Sequence, residues 1–135
     1  MKSMREEGLR LIREAEGILR RDAQGALHDK DFNMVVRRAQ EVAELTLKGA
    51  LKILGVDYPK VRDVAPLFSE QVLQKGSVQS PEVLRKIEEI SLWLAQSRTP
   101  SFYFDREYGG EDAEQALQDA AFVLAEVKKV IGLRE

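Results

Sequence analysis

The sequence predicts an all-α fold, an up-and-down helical bundle of about five helices. Apolar residues recur with a helical period of about 3.6 over most of the chain, and no segment shows the strict alternation of a strand. All but one of the connections are short, so neighbouring helices should run antiparallel. With 135 residues, 44% of them hydrophobic, the chain is long enough for a single compact domain over residues 1–135.

The first two predicted helices occupy residues 4–55. Over residues 4–27 the apolar side chains fall on one helix face. The letters HDKD then break the pattern, and Asp29 or Asp31 can accept the free N–H groups at the start of the second helix. That helix continues to Gly55, because glycine suits the left-handed conformation in which many helices end.

Two further helices carry clear start signals. Asp63 can cap the third helix, with Pro66 in its first turn, where the missing N–H costs little. This helix should end near Gly76. Ser80 is the predicted cap of the fourth helix, with Pro81 at its first position.

A long loop is predicted between the fourth and fifth helices. Residues 98–111, RTPSFYFDREYGGE, show no helical period and contain one proline and two glycines. A connection of this length is unusual between helices, and long ordered loops are often functional. Asp112 and Gln115 then form a capping-box pattern that predicts the start of the fifth helix.

Composition narrows the functional classes. The 21 basic and 23 acidic residues nearly cancel, so any contact with nucleic acid has to be local. The chain has no Cys and one His, which leaves too few groups for a zinc-type metal site, and no cofactor motif is present. Because no export signal or membrane-spanning stretch is apparent, we expect a cytoplasmic protein without membrane contact.

The second predicted helix carries a narrow polar stripe on a mostly apolar surface. The stripe spans roughly 80° of the helix circumference and is formed by Arg37, Glu41, Glu44, Lys48 and Lys52. Arg37 with Glu41, and Glu44 with Lys48, have the spacing of helical ion pairs. Small residues such as Gly49 should let a neighbouring helix approach closely. The stripe is either a solvated face of a buried helix or part of a dimer interface or functional cleft.

Residues 39–64, AQEVAELTLKGALKILGVDYPKVRDV, resemble the signature of HEPN domains (higher eukaryotes and prokaryotes nucleotide-binding). The matching positions are Gln40, Glu44, Lys48, Gly55 and Pro59. Two further segments, SRTPSFYF and DAEQALQDAAFVLAEV, resemble the family's arginine-bearing segment and its last helix. The resemblance covers nearly the whole chain. It implies a bundle of about five helices that pairs as a homodimer and acts beside a minimal nucleotidyltransferase in a two-component, toxin–antitoxin-like system.

Many members of this family are RNases, whose motif is an Arg followed a few residues later by a His. Arg98 matches the Arg, but Tyr103, Phe104 and Asp105 occupy the positions where the His would fall. Arg62 stands at another place where related sequences often carry a His. The resemblance therefore implies a domain that keeps the motif's arginine without its imidazole.

The remaining residues offer limited acid–base chemistry but suit ligand binding. His28 is the only imidazole and lies far from Arg98 in the sequence, and the Tyr103 phenol is a poor base at neutral pH. Arg98 with Phe102 and Tyr103 combines a guanidinium for phosphate with rings on which bases can stack. Alternatively, the rings only anchor the loop onto the bundle.

Three interpretations follow. The first is a non-catalytic HEPN-like domain, homodimeric, that binds a minimal nucleotidyltransferase and a nucleotide or RNA. Its ligand-binding or interface residues would be Gln40, Glu44, Lys48, Arg98, Phe102 and Tyr103. The alternative is a metal-independent RNase that uses Arg98 with Tyr103 or His28. The third is an assembly module in which Gln40, Glu44 and Lys48 serve pairing alone.

Overall fold

The computed structural model describes residues 3–76 and 80–133 as a bundle of helices. The helices in chain order are α1 (Met4–Gly17), α2 (Ala23–His28), α3 (Phe32–Ile53), α4 (Ala65–Gln74), α5 (Pro81–Tyr103) and α6 (Gly110–Val130). A π-helical turn, Ile18–Asp22, joins α1 to α2. The predicted all-α helical bundle is confirmed, and the described residues contain no strand.

The central element is α3, which contacts α1, α5 and α6. The Asp31 carboxylate caps its first turn by accepting from the Met34 N–H at 3.3 Å. Gly55 follows its last turn with a φ of +80°, the predicted left-handed stop. Because α3 is apolar around a wide arc, it buries side chains against helices on several sides.

Two glycines let α1 and α3 touch backbone to backbone. A Cβ added at Gly49 would lie 2.7 Å from the Gly8 carbonyl oxygen, and one added at Gly8 would lie 2.5 Å from the Gly49 carbonyl oxygen. The predicted close approach at Gly49 is confirmed. The packing gained at this crossing offsets the cost of about 1 kcal/mol that glycine imposes in mid-helix.

The predicted long loop over residues 98–111 is wrong, because α5 continues through Pro100 to Tyr103. Phe104, with a φ of 57°, ends the helix, and only residues 104–109 connect it to α6. A proline inside a helix removes one hydrogen bond and costs roughly 3 kcal/mol. Here the end of the helix is held from outside by Asn33, a buried residue of α3.

Asn33 makes three hydrogen bonds to this part of the chain. Its amide nitrogen donates to the carbonyls of Ser101 at 3.2 Å and Arg106 at 2.9 Å. Its amide oxygen accepts from the Tyr108 N–H at 2.9 Å. These bonds fix both the last turn of α5 and the connection that follows it. They are tertiary contacts that the local sequence pattern of residues 98–111 does not reveal.

Two predicted helix starts also need correction. α6 begins at Gly110, and Asp112 is not its cap but accepts from the Gly109 N–H at 2.9 Å, whereas Gln115 donates to Asp119. Asp63 lies one residue before the cap of α4, although its carboxylate does accept from the Ala65 N–H.

The N-terminal features of the fourth predicted helix, now α5, are confirmed. The Ser80 hydroxyl oxygen accepts from the Val83 N–H at 3.2 Å, and Pro81 is the first helical residue. Within the described parts of the chain, no helix is both long and apolar enough to cross a membrane.

We predict that Gly49→Ala destabilises the fold even though alanine is the better helix former. The new methyl group would collide with the α1 backbone, and overpacking of this kind costs about 1–3 kcal/mol. The matched control is Gly25→Ala in α2, where a Cβ meets nothing within 4 Å. Gly25→Ala should raise the free energy of unfolding, measured by urea denaturation, by up to about 1 kcal/mol. Equal effects of the two substitutions would contradict the proposed backbone contact.

Candidate functional site

The polar stripe of α3 forms a hydrogen-bonded network around Glu44. Its carboxylate accepts from the Gln40 amide at 2.7 Å, from the Lys48 ammonium at 2.8 Å and from the Arg62 guanidinium at 3.3 Å. Gln40, Glu44 and Lys48 are one turn apart on the same helix face, which is why their side chains meet. Arg62 comes from the segment between α3 and α4. The predicted pair of Glu44 and Lys48 is therefore present.

Arg98 connects α5 to this network. Its guanidinium donates to the Gln40 amide oxygen at 2.9 Å and to the Glu41 carboxylate at 3.2 Å. Glu41 also accepts from Arg38 at 2.7 Å. The Gln40 amide thus passes hydrogen bonding from Arg98 to Glu44, and the arginine is held in place by the neighbouring helix. These are charge-assisted bonds, which are stronger than bonds between neutral groups.

Arg37 does not pair with Glu41 as the sequence predicted. Glu41 instead bonds to Arg38 and Arg98, while the Arg37 guanidinium lies over the Phe102 ring, 4.3 Å from its centroid. The Arg37 Nε is buried without a hydrogen-bond partner among the described residues. The Phe102 ring packs edge-on against Tyr103, with their centroids 4.9 Å apart.

Two clefts flank the network. The first, of about 330 Å³, is lined chiefly by charged groups: Glu14, Asp22, Arg38, Glu41, Glu44, Arg62 and Arg98, with Ile18 and Leu45. The second, of about 240 Å³, is lined by Arg62, Arg98, Thr99, Phe102 and Tyr103. Arg62 and Arg98 border both. The described residues that line the second cleft include two guanidinium groups and two rings but no carboxylate.

Hydrogen bonds and neighbouring charges favour the charged forms of Glu44 and Arg38. Burial raises the pKa of Glu44, but hydrogen bonds from Lys48 and Gln40, together with the positive charges of Lys48 and Arg62, outweigh it and leave the pKa below its usual range. The hydrogen bond to Glu41 raises the pKa of Arg38. The network therefore contains an ionised Glu44 at neutral pH.

The structure brings most of the predicted site residues together. Gln40, only 2% exposed, links Glu44 to Arg98, whose side chain is 20% exposed. Phe102 and Tyr103 lie on the exposed surface beside Arg98, and Tyr103 is 67% exposed.

His28 lies apart from the described lining of both clefts. It is at the end of α2, its side chain is 90% exposed, and its Nδ1 is 3.5 Å from the Asp29 carboxylate. Within the described residues, no cluster of His, Asp and Glu could hold a metal ion.

Sequence reasoning missed two contributors, Arg38 and Asn33. Arg38 follows Arg37 directly in the sequence. The packing of α3 against its neighbours decides which of these two arginines contacts Glu41. Asn33 carries a signal that could have been noticed, since an amide on the apolar face of a helix needs partners when it is buried. Its partners are backbone groups far along the chain, so the sequence could not have identified them.

The fold and the site define a small all-α domain in which the buried Gln40, the partly buried Glu44 and Lys48, and an arginine from a neighbouring helix form one network. Comparison with known families matches the HEPN domain over residues 9–130. The chain belongs to the HEPN domain family, and this membership supports a role related to nucleotides or RNA. A search of curated proteins and a search of solved structures find no match.

We predict that Glu44→Gln lowers the free energy of unfolding at neutral pH by about 1–2 kcal/mol, because charge-assisted hydrogen bonds are lost. The folded state lowers the pKa of Glu44, so its ionised form stabilises the fold above the unfolded-state pKa of about 4.3. This stabilisation is lost as the pH falls through the lower folded-state pKa. The difference between wild type and variant should therefore shrink in acid.

Urea denaturation at a series of pH values checks this prediction. Glu114→Gln is the matched control, since Glu114 is an exposed carboxylate on α6. Its effect should be small throughout. A loss in Glu44→Gln that is the same at neutral and acidic pH would show that the charge of Glu44 is not what stabilises the fold.

Proposed function

We propose that this HEPN domain is a non-catalytic, homodimeric partner of a minimal nucleotidyltransferase, and that it binds a nucleotide or RNA in the second cleft. The observation that carries the ligand proposal is the composition of that cleft, with Arg62 and Arg98 beside the rings of Phe102 and Tyr103. Guanidinium groups bind phosphate, and exposed rings stack on bases. The homodimer and the two-component system are proposed from the resemblance to HEPN domains, and the family match over residues 9–130 supports them.

The network on α3 supports this role for Arg98. An arginine has five N–H donors, and Arg98 uses one terminal nitrogen for Gln40 and Glu41. Those two bonds fix the position of the guanidinium, so little side-chain entropy is lost when a phosphate binds to the remaining donors. We therefore assign Gln40, Glu41 and Glu44 to positioning and Arg98 to ligand contact.

We propose a non-catalytic role because the described lining of the second cleft includes no histidine for proton transfer near neutral pH. Metal-independent RNA cleavage needs a group that accepts and donates protons, usually a histidine. His28 is absent from the described lining of the cleft, and Tyr103 supplies only a phenol. The alternative, an RNase that uses Arg98 with Tyr103, draws its support from the shared cleft of those two residues.

Substitutions at Tyr103 separate binding from catalysis. Tyr103→Ala should weaken binding of ATP or a short RNA roughly 5- to 150-fold, because stacking on one ring contributes about 1–3 kcal/mol per base. Tyr103→Phe keeps the ring and should bind like wild type. Leu73→Ala, which removes another exposed apolar side chain from α4, is the control. Titration calorimetry gives the affinities.

Incubation with structured RNA tests the alternative. We expect no cleavage by wild type, Arg98→Ala or Tyr103→Phe. Cleavage by wild type that disappears in Arg98→Ala and in Tyr103→Phe would establish the RNase instead. Binding of neither ATP nor RNA would favour the plain assembly module.

The partnership is tested by co-expression with a nucleotidyltransferase encoded beside the gene, followed by size-exclusion chromatography. The proposal expects co-elution, and the chain alone should elute as a dimer. Absence of such a neighbour, or separate elution of the two proteins, would contradict the assigned partner.

A further inference from the structure

A groove separate from the two clefts runs along α1 and the π-helical turn. Its volume is about 510 Å³, and four of its lining residues are Arg10, Arg13, Arg20 and Arg21. We call it the arginine groove. All four side chains are exposed. Arg10 and Arg13 are one turn apart, Arg13 and Arg20 are two turns apart, and Arg21 follows Arg20 directly. At about 1.5 Å per residue, the four arginines extend over roughly 16 Å of the helix axis, within an arc of about 100°.

The cations of the arginine groove are largely unpaired. Arg21 contacts the Asp22 carboxylate at 3.0 Å. Among the residues that the structure describes, Arg10, Arg13 and Arg20 form no ion pair. The chain has more acidic than basic residues, 23 against 21, so unpaired guanidinium groups do not result from a shortage of carboxylates. The groove contains two acids, Glu14 and Asp22, against four arginines.

The arginine groove continues into the first cleft. Glu14, Ile18 and Asp22 line both. The first cleft in turn shares Arg62 and Arg98 with the second cleft, where the rings lie. One continuous surface path therefore leads from four arginines to two arginines and two rings.

The π-helical turn, Ile18–Asp22, lies where the groove meets the first cleft. The Ala23 N–H bonds to the Ile18 carbonyl, five residues earlier, in place of the usual four. Turns of this kind are rare and occur often at functional sites. Arg20 and Arg21 belong to this turn, so the irregular geometry coincides with the basic end of the path.

We infer that the arginine groove binds the phosphate backbone of a single-stranded RNA whose end occupies the second cleft. This inference rests on the proposed function. A groove that tracks the backbone and rings that stack bases are the two components of single-strand recognition. At the roughly 3.4 Å that each nucleotide occupies along a stacked duplex strand, the groove's length accommodates at most about four to five nucleotides, and fewer of an extended single strand. The carboxylates along this path can accept hydrogen bonds from base amino groups, while the phosphates bind to the arginines. These carboxylates are Glu14 and Asp22 in the groove and Glu41 and Glu44 in the first cleft.

The test is fluorescence anisotropy with a labelled single-stranded RNA of about 20 mixed-sequence nucleotides, longer than one small domain covers. Arg13→Gln/Arg20→Gln should weaken binding about tenfold and reduce the slope of log K against log salt by roughly 1.4, at about 0.7 per phosphate. The control, Lys75→Gln/Arg85→Gln, removes two exposed cations from α4's end and α5. It should bind RNA like wild type.

Four outcomes overturn the inference. They are equal RNA affinities of the groove variant and wild type, equal losses in the groove and control variants, no binding of RNA by wild type, and loss of a protein partner in the groove variant with RNA affinity unchanged. The last would make the groove a protein-binding surface.

The proposed function is judged separately through Tyr103→Ala. If that substitution weakens RNA binding and the groove variant does not, the result supports RNA binding in the second cleft and contradicts RNA binding in the arginine groove. If only the groove variant weakens RNA binding, RNA binds in the arginine groove but its end does not occupy the second cleft, which contradicts the proposed function. ATP, which is too short to span both sites, should bind the groove variant like wild type.

Discussion

The hydrogen bonds of the Gln40 amide are the constraint on which the site depends. Gln40 is 2% exposed, and a buried amide that lacks partners costs about 1–3 kcal/mol. Its nitrogen is satisfied by Glu44 and its oxygen by Arg98. Each partner is charged, so each needs its own counter-charge: Lys48 and Arg62 for Glu44, Glu41 for Arg98. One buried polar group therefore organises charged residues from two helices and the segment between α3 and α4.

The same contacts set where the rings lie. Arg98 and Phe102 are one turn apart on α5, and α5 is fixed to α3 at two levels, through Arg98 to Gln40 and through Asn33 to the backbone near Ser101. Between these levels Arg37 of α3 packs on Phe102. Apart from Arg62, the described residues that line the second cleft lie on α5, and a helix positions side chains more rigidly than a free loop would.

The helix-scale features of the fold could be predicted from the sequence, whereas the contacts between helices could not. The helical period of apolar residues and the capping residues predicted α3 and the start of α5, because both signals depend on residues that are near each other in the chain. The end of α5 was mispredicted because Asn33 and Ser101 are 68 positions apart. Gln40, Glu44 and Lys48 were predictable as one face of a helix. That Arg98 would reach Gln40 required the packing of α5 on α3.

The paired and unpaired cations divide the polar surface into two kinds of site. Around Glu44, cations are neutralised by fixed carboxylates, so their first role is to hold side chains in place, and only their spare donors face solvent. In the arginine groove the guanidinium groups are exposed and mostly unpaired, so a phosphate that binds there displaces little besides water and salt ions. Rigid, paired arginines are suited to orienting one phosphate, whereas exposed, unpaired arginines are suited to attracting the phosphates of a longer RNA. Since the first cleft connects the two sites, one RNA strand can contact both.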